Sequence, residues 1–137
     1  MNKIVIHGKK VVGGCVEGEA LVTNQTVTGW GGIDPMKGAI IERRHELRGQ
    51  SFKDKVLVIP GAKGSSGTSM VFHTTRLVGT APKAILFCDM TTKAALSAVL
   101  LHVPALTGFD KNPLDLIKTG DWLKIDADKG TVEVIKK

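Results

Sequence analysis

Residues 55–70 read KVLVIPGAKGSSGTSM: an apolar run, a proline, and then a loop crowded with glycines and hydroxyls. Val56–Ile59 contains no polar residue, the mark of a short strand buried on both faces. Beyond the loop, Met70, His73, Thr74, Leu77 and Val78 recur at i, i+3, i+4, i+7 and i+8. That spacing predicts one face of a helix, and Gly79 is a natural C-terminal stop. Lys83–Phe87 (KAILF) then reads as a second buried strand. Strand, glycine-rich loop, helix and strand make a βαβ unit, whose crossover is right-handed in nearly every known case.

Working outward, Lys3–His7 alternates as a strand does, and Ala20–Val22 reads as another, with Gly8, Gly13, Gly14 and Gly18 punctuating the chain between them. The stretch GWGGIDPMKG (29–38) is turn chemistry throughout, with Asp34-Pro35 fixing a bend. Lys93–Leu101 is expected to form a second apolar helix leading into a short strand at Pro104–Thr107. Asn112-Pro113 supplies an N-cap and first helical position, and Gly120 closes that short helix. The tail WLKIDADKGTVEVI reads as a hairpin, with alternating runs around an Asp/Lys/Gly turn. The sum is a mixed α/β fold with parallel and antiparallel strands, expected to form a single domain over residues 1–137.

The chain has 137 residues, 42% of them hydrophobic and 23% charged, which is ordinary for a globular protein. No stretch approaches the roughly 20 apolar residues of a membrane span, and the apolar run at the N-terminus is too short for a secretory signal. The expectation is a cytoplasmic protein with no membrane contact. The net charge of +6 suits an anionic substrate or acidic partner. Nucleic acid is disfavoured as that partner, because aromatic residues are 4% of the chain, tyrosine is absent, and the basic residues are scattered apart from Arg43, Arg44 and Arg48. Cys15 and Cys88, the only cysteines, are far apart in apolar surroundings and read as buried thiols. Neither forms a CxxC, so this chain alone is expected to hold neither a structural zinc nor an iron–sulfur cluster.

The serine loop is the main candidate for chemistry. The N–H groups of a helix's first turn, with its dipole, favour an anion; glycine permits close approach and hydroxyls can donate or react. Named motifs fail against it. A P-loop needs Lys after its second glycine, and a nucleophile elbow needs Gly where Gly64-Ser65-Ser66-Gly67-Thr68 has Thr68. A plain solvated loop capping a helix remains open beside the functional reading. Arg43, Arg44 and His45 could grip a carboxylate or phosphate. His73 reads as partly buried and structural, and Trp30 as a core anchor. Asp34-Pro35 taken alone is a turn signal.

Taken together, WGGIDPMKGAII (30–41), RRHELRG (43–49), KVLVIPGAKGSSGTS (55–69), GTAPKAIL (79–86) and NPLDLIKTGDWLKID (112–126) resemble one family across nearly the whole chain: the small subunit, or swivelling domain, of aconitase X. The resemblance implies a swivelling β/β/α fold, with a parallel sheet, an antiparallel sheet and a helical layer. It implies a large-subunit partner that carries the iron–sulfur cluster on its own cysteines, with the active site formed between the two. The implied reaction is dehydration: a cluster iron takes the leaving hydroxyl while a base removes a proton from carbon. The family's base is a serine of the GSS block, which here places that role on Ser65. Lys63, Gly64, Ser66, Gly31, Gly32 and Asp34 are the expected substrate-binding residues. A helix N-terminus would stabilise the serine alkoxide, with Lys63 or a group from the partner as counter-charge.

Two departures stand out: Glu46 follows His45 where proline is commoner, and Gly29 precedes Trp30 where an aromatic residue is frequent. Members of the family dehydrate cis-3-hydroxy-L-proline or 5-phosphomevalonate, and the resemblance leans to the hydroxyproline type. A rival of another class is a phosphate- or anion-binding module using the loop without chemistry. A phosphohistidine carrier would need a histidine where this loop has serine.

Overall fold

The computed structural model describes residues 3–25, 27–28, 33–41, 46–60, 62–63, 67–88, 99 and 102–136. The strands are β1 (Lys3–His7), β2 (Lys9–Val12), β3 (Cys15–Val22), β4 (Val27–Thr28), β5 (Ile33–Asp34), β6 (Ala39–Ile40), β7 (Val56–Ile59), β8 (Ala62–Lys63), β9 (Ala84–Phe87), β10 (Ala105–Thr107), β11 (Trp122–Asp126) and β12 (Thr131–Ile135). The helices are α1 (Gly67–Val78) and α2 (Pro113–Leu116). The second helix expected over Lys93–Leu101 falls, but for Val99, outside the described residues.

An eight-stranded sheet in the order β1-β12-β11-β3-β7-β9-β10-β2 is the frame. Its first part is antiparallel: β1 on β12, β12 on β11, and β11 on the first half of β3, where Cys15–Glu19 oppose Asp126–Trp122. The second part is parallel: Ala20–Val22 pair with Val56–Val58, β7 pairs with β9, and β9 with β10, while β2 closes that edge antiparallel. A single strand, β3, therefore belongs to both. This is the expected combination of parallel and antiparallel sheets, reached through a strand of eight residues where the sequence suggested only Ala20–Val22. Gly18, taken there as punctuation, lies inside it opposite Leu123.

The side chains of the parallel strands divide between two cores. Leu57, Ile59, Ile85 and Phe87 pack with Val71 and Phe72 of α1 and with Ile33, Ile40 and Phe52. Val56, Val58, Ala84 and Leu86 pack with Ile6, Leu123, Ile125, Val132 and Val134 of the antiparallel part. The layers are thus antiparallel sheet, parallel sheet, and a layer made by α1 and the excursion between β5 and Phe52.

Helix α1 turns a different face inward from the one its spacing predicts. Val71, Phe72 and Thr75 are buried, His73 and Thr74 are half-buried, and Leu77 is 71% exposed, with Val78 also exposed. Phe72 decides the phase: its ring lies 6.1 Å from that of Phe52, and burying so large a side chain outweighs the smaller residues opposite. The helix ends as expected. Gly79 has φ +83 and the Thr80 N–H donates to the Thr75 carbonyl at 2.8 Å, a Schellman closure.

The turn at Asp34-Pro35 joins β5 to β6. An Asp34 carboxylate oxygen accepts the Met36 N–H at 3.0 Å and its carbonyl accepts the Gly38 N–H at 2.8 Å. Gly38 has φ +62, and a Cβ there would lie 2.4 Å from the Thr80 carbonyl oxygen, so glycine is required twice over. Short α2 is capped by Asn112, which accepts the Leu114 N–H at 3.0 Å, and stops four residues before Gly120.

The C-terminal strand is latched by a buried ion pair. Lys136 Nζ donates to Asp121 at 2.6 Å and to the Leu116 carbonyl at 2.9 Å, while Asp121 also accepts the Lys118 N–H at 2.8 Å. Asp121 is 3% exposed, so removing its partner strands a charge in the interior. Lys136→Met is expected to cost about 2 kcal/mol, less than a fully buried pair because the Lys136 side chain keeps 29% exposure. In a thermal melt that is a fall of roughly 8 °C in Tm. Lys3→Met, which removes a solvated pair with Glu133, should cost less than about 0.5 kcal/mol.

Candidate functional site

Parallel strands all present their carboxyl ends to one edge, and open α/β sheets bind ligands there. At this edge β3 leaves through Thr23, β7 through Pro60, β9 through Cys88 and β10 through Gly108. The loops after β3 and β7 pair with each other: Val27 and Thr28 of β4 lie parallel to Ala62 and Lys63 of β8. Lys63 is followed by Gly64-Ser65-Ser66, and α1 begins at Gly67. Segment 64–66 thus joins the carboxyl edge to the first turn of α1, where N–H groups lack intrahelical acceptors.

Gly64, Ser65, Ser66, Gly31 and Gly32 lie outside the described residues, as do Trp30, Arg43, Arg44 and His45. The backbone of Lys63 is placed beside that loop by its pairing with Thr28. Thr80 donates its hydroxyl to the Pro35 carbonyl, so the Asp34-Pro35 turn abuts the chain just past the C-terminal end of α1, the end opposite Gly67. The carboxylate of Asp34 accepts the Met36 N–H within that turn.

Two cavities open along the carboxyl edge. One, about 380 Å³, is walled by Pro60, Cys88, Phe109, Asp110, Lys111 and Pro113. The other, about 230 Å³, is walled by Thr23, Asn24, Glu46, Leu114, Lys118 and Thr119. Glu46, Thr23 and Lys111 carried no functional signal in the sequence, because their neighbours in space come from remote segments. Asp110 is anchored to β1: it accepts the His7 N–H at 2.9 Å and faces His7 Nδ1 at 3.4 Å. The His7 amide, with smaller help from the imidazole and Lys111, holds its carboxyl below the ordinary carboxylate value.

A larger cavity, about 450 Å³, lies on the antiparallel part, away from this edge, walled by Cys15, Glu17, Lys124, Asp126, Lys129 and Glu133. There the Cys15 sulfur and the carboxylates of Asp126 and Asp128 come within 4.8 Å of one another. A hydrogen bond to Asp126, then desolvation and the nearby negative charges, push the Cys15 thiol up, which disfavours the thiolate that metals and electrophiles need. Neither cysteine is fully buried as expected: Cys15 is exposed and Cys88 half-buried. Cys15 opens the antiparallel half of β3, opposite Asp126, and Cys88 follows β9 at the carboxyl edge of the parallel strands. Iron–sulfur clusters are held by several convergent thiolates, so the residues of this chain do not fit one. Among the described residues no helix is long and apolar enough to cross a membrane.

The family model for the aconitase X swivel domain matches residues 5–134. The phosphomevalonate dehydratase small subunit of Methanosarcina acetivorans is 34% identical over 136 residues, covering 99% of this chain and 94% of that protein. The protein of the same name from Thermococcus gammatolerans is 38% identical over 130 residues, covering 95% and 97%. The crystal structure of Thermococcus kodakaraensis aconitase X in its holo form superposes with a TM-score of 0.90 at 35% identity, covering 97% of this chain and 99% of that one.

The Asp110–His7 contact yields a pH signature. Because the folded carboxyl is lowered, the contact's contribution is complete above the ordinary carboxylate range and is lost as pH falls through the lowered folded value. A carbon-detected NMR titration should show Asp110 protonating below the ordinary aspartate value. In Asp110→Ala the His7 amide, losing its acceptor, should exchange at least several-fold faster.

Proposed function

The chain belongs to the aconitase X swivel-domain family, and from that premise we propose that it is the small subunit of a heteromeric hydro-lyase acting on a phosphorylated hydroxy acid of the 5-phosphomevalonate type. The observation that carries the reading is the β4–β8 pairing beyond the carboxyl ends of β3 and β7, which brings the chain to Lys63, directly before Gly64-Ser65-Ser66 in sequence. The names of the relatives favour phosphomevalonate over the cis-3-hydroxy-L-proline to which the sequence leaned, and nothing in the comparisons supports the latter. A net charge of +6 accords with a substrate carrying both carboxylate and phosphate.

In this reading Ser65 is the general base. It takes the proton from the carbon next to the substrate carboxylate, and the electron pair of that C–H bond forms the double bond while the hydroxyl on the following carbon departs to an acid or electrophile that the large subunit would supply. A serine is a poor base unless its alkoxide is stabilised, and the amides at the start of α1 serve that purpose, with Lys63 as a nearby cation. Gly64, Ser66, Gly31 and Gly32 allow the substrate's anionic groups to approach backbone donors. The large subunit completes the site and holds the iron–sulfur cluster; no step of the reaction is assigned to a cofactor on this chain. The assembly works in the cytoplasm.

Co-expression with the cognate large subunit tests this. A complex should purify and consume 5-phosphomevalonate, with the product followed by ultraviolet absorbance, and leave cis-3-hydroxy-L-proline untouched. Ser65→Ala should assemble normally yet lose on the order of 10²–10⁴ in kcat, the range for removal of a general base. A chain that never pairs, and binds inorganic phosphate with only modest loss in Ser65→Ala, would instead identify an anion-binding module.

A further inference from the structure

The pairing that carries the serine loop is very short: β4 and β8 contribute two residues each and form a sheet of their own. So small a ladder cannot hold its register unaided. The point where β3 leaves the main sheet is firmly held. Val22 gives its N–H to the Thr119 hydroxyl at 2.9 Å and receives that hydroxyl on its carbonyl at 3.3 Å. The Thr23 N–H continues the sheet to the Val58 carbonyl at 3.1 Å.

Beyond Thr23 the chain is gripped by a residue remote in sequence. Glu46 Oε1 accepts the Thr23 hydroxyl and, at 3.3 Å, the Asn24 N–H. The Glu46 N–H donates to the Gln25 side-chain oxygen at 2.9 Å, and the Gln25 N–H donates to the Thr23 hydroxyl oxygen at 3.0 Å. These hydrogen bonds close on one another. Thr23 is 2% exposed, so its hydroxyl needs the acceptor that Glu46 supplies. Two residues past Gln25 the chain enters β4, and Thr28 of β4 pairs with Lys63, the residue before Gly64.

We infer that Glu46 is a positioning residue: by closing the turn at Thr23–Gln25 it fixes β4, and through β4 the β8 segment from which the serine loop departs. Its catalytic consequence rests on the reading of Ser65 as base. Glutamine retains the oxygen that accepts both bonds, whereas alanine leaves the Thr23 hydroxyl and the Asn24 amide without it.

The test uses the assembled heteromer with Glu46→Ala and Glu46→Gln, read by amide hydrogen exchange and by steady-state kinetics on 5-phosphomevalonate. In Glu46→Ala, exchange at 27–28 and 62–63 should rise at least tenfold while the rest of the parallel sheet keeps its protection. Its kcat should fall at least tenfold with KM within twofold, and Glu46→Gln should recover both to within threefold. Unchanged exchange at 62–63, a rise spread evenly over the chain, or a glutamine variant as impaired as alanine would each overturn the inference. Raised exchange with normal kcat would overturn the positioning role. The exchange readout stands apart from the assignment of the base: should the Ser65→Ala complex remain active, the dehydratase reading fails while the tie between Glu46 and β8 is still decided.

Discussion

Val56, Val58, Ala84 and Leu86 face one side of the parallel strands, Leu57, Ile59, Ile85 and Phe87 face the other, and all are fully buried. A sheet with no solvent face has to be covered twice. The antiparallel strands supply one cover with Ile6, Leu123, Ile125, Val132 and Val134; α1 and the excursion between β5 and Phe52 supply the other. Strand β3 reconciles the two sheets by pairing antiparallel in its first half and parallel in its second. With both faces consumed by packing, polar chemistry is confined to the ends of the strands, and the carboxyl edge is where the loops are longest.

Two regimes of hydrogen bonding follow. The main sheet rests on long ladders backed by apolar burial and needs little from side chains. Outside it, the two-residue ladders β4 with β8 and β5 with β6 lean on side-chain bonds instead: Glu46 on the β3 exit ahead of β4, and, past the C-terminal end of α1, Asp34 within its own turn and the Thr80 hydroxyl on Pro35. The same contrast separates the buried Lys136–Asp121 latch, which closes the frame, from exposed pairs such as Lys3–Glu133, which solvent makes nearly neutral.

What the sequence disclosed follows that division. Val56–Ile59, Lys83–Phe87, the hairpin after Trp122 and the βαβ unit were legible because burial on both faces, or strict alternation, leaves a pattern in neighbouring residues. Strand β3 was half-read because Gly18 looks like punctuation, although a glycine inside a strand is tolerated where another element passes close; the Lys83 side chain lies 3.4 Å from where its Cβ would be. The helix phase was missed because α1 is apolar on two sides and only the contact between Phe52 and Phe72 selects one. Asp34 was read as lining the cleft because glycines precede it; the described bond of its carboxylate is to the Met36 N–H in the turn past the C-terminal end of α1. Glu46, seen only as a departure from the family pattern, has hydrogen-bond partners more than twenty positions away, a relation no local spacing encodes.

The electrostatics of the carboxyl edge also bear on why such a chain works in company. Removing a proton is half of a dehydration; the departing hydroxyl needs an acid or an electrophile as well. The described carboxyl groups there are poor candidates. Asp110 is held below the ordinary carboxylate value by the His7 amide, and so is ionised at neutral pH with no proton to give. Glu46 is occupied in accepting the Thr23 hydroxyl and the Asn24 amide. Lys111 and Lys118, which line the two cavities of this edge, offer positive charge to an anion. Two thiols are too few to hold a cluster. Under the proposal that Ser65 is the base, the group that draws off the hydroxyl has to come from outside the described residues of this edge.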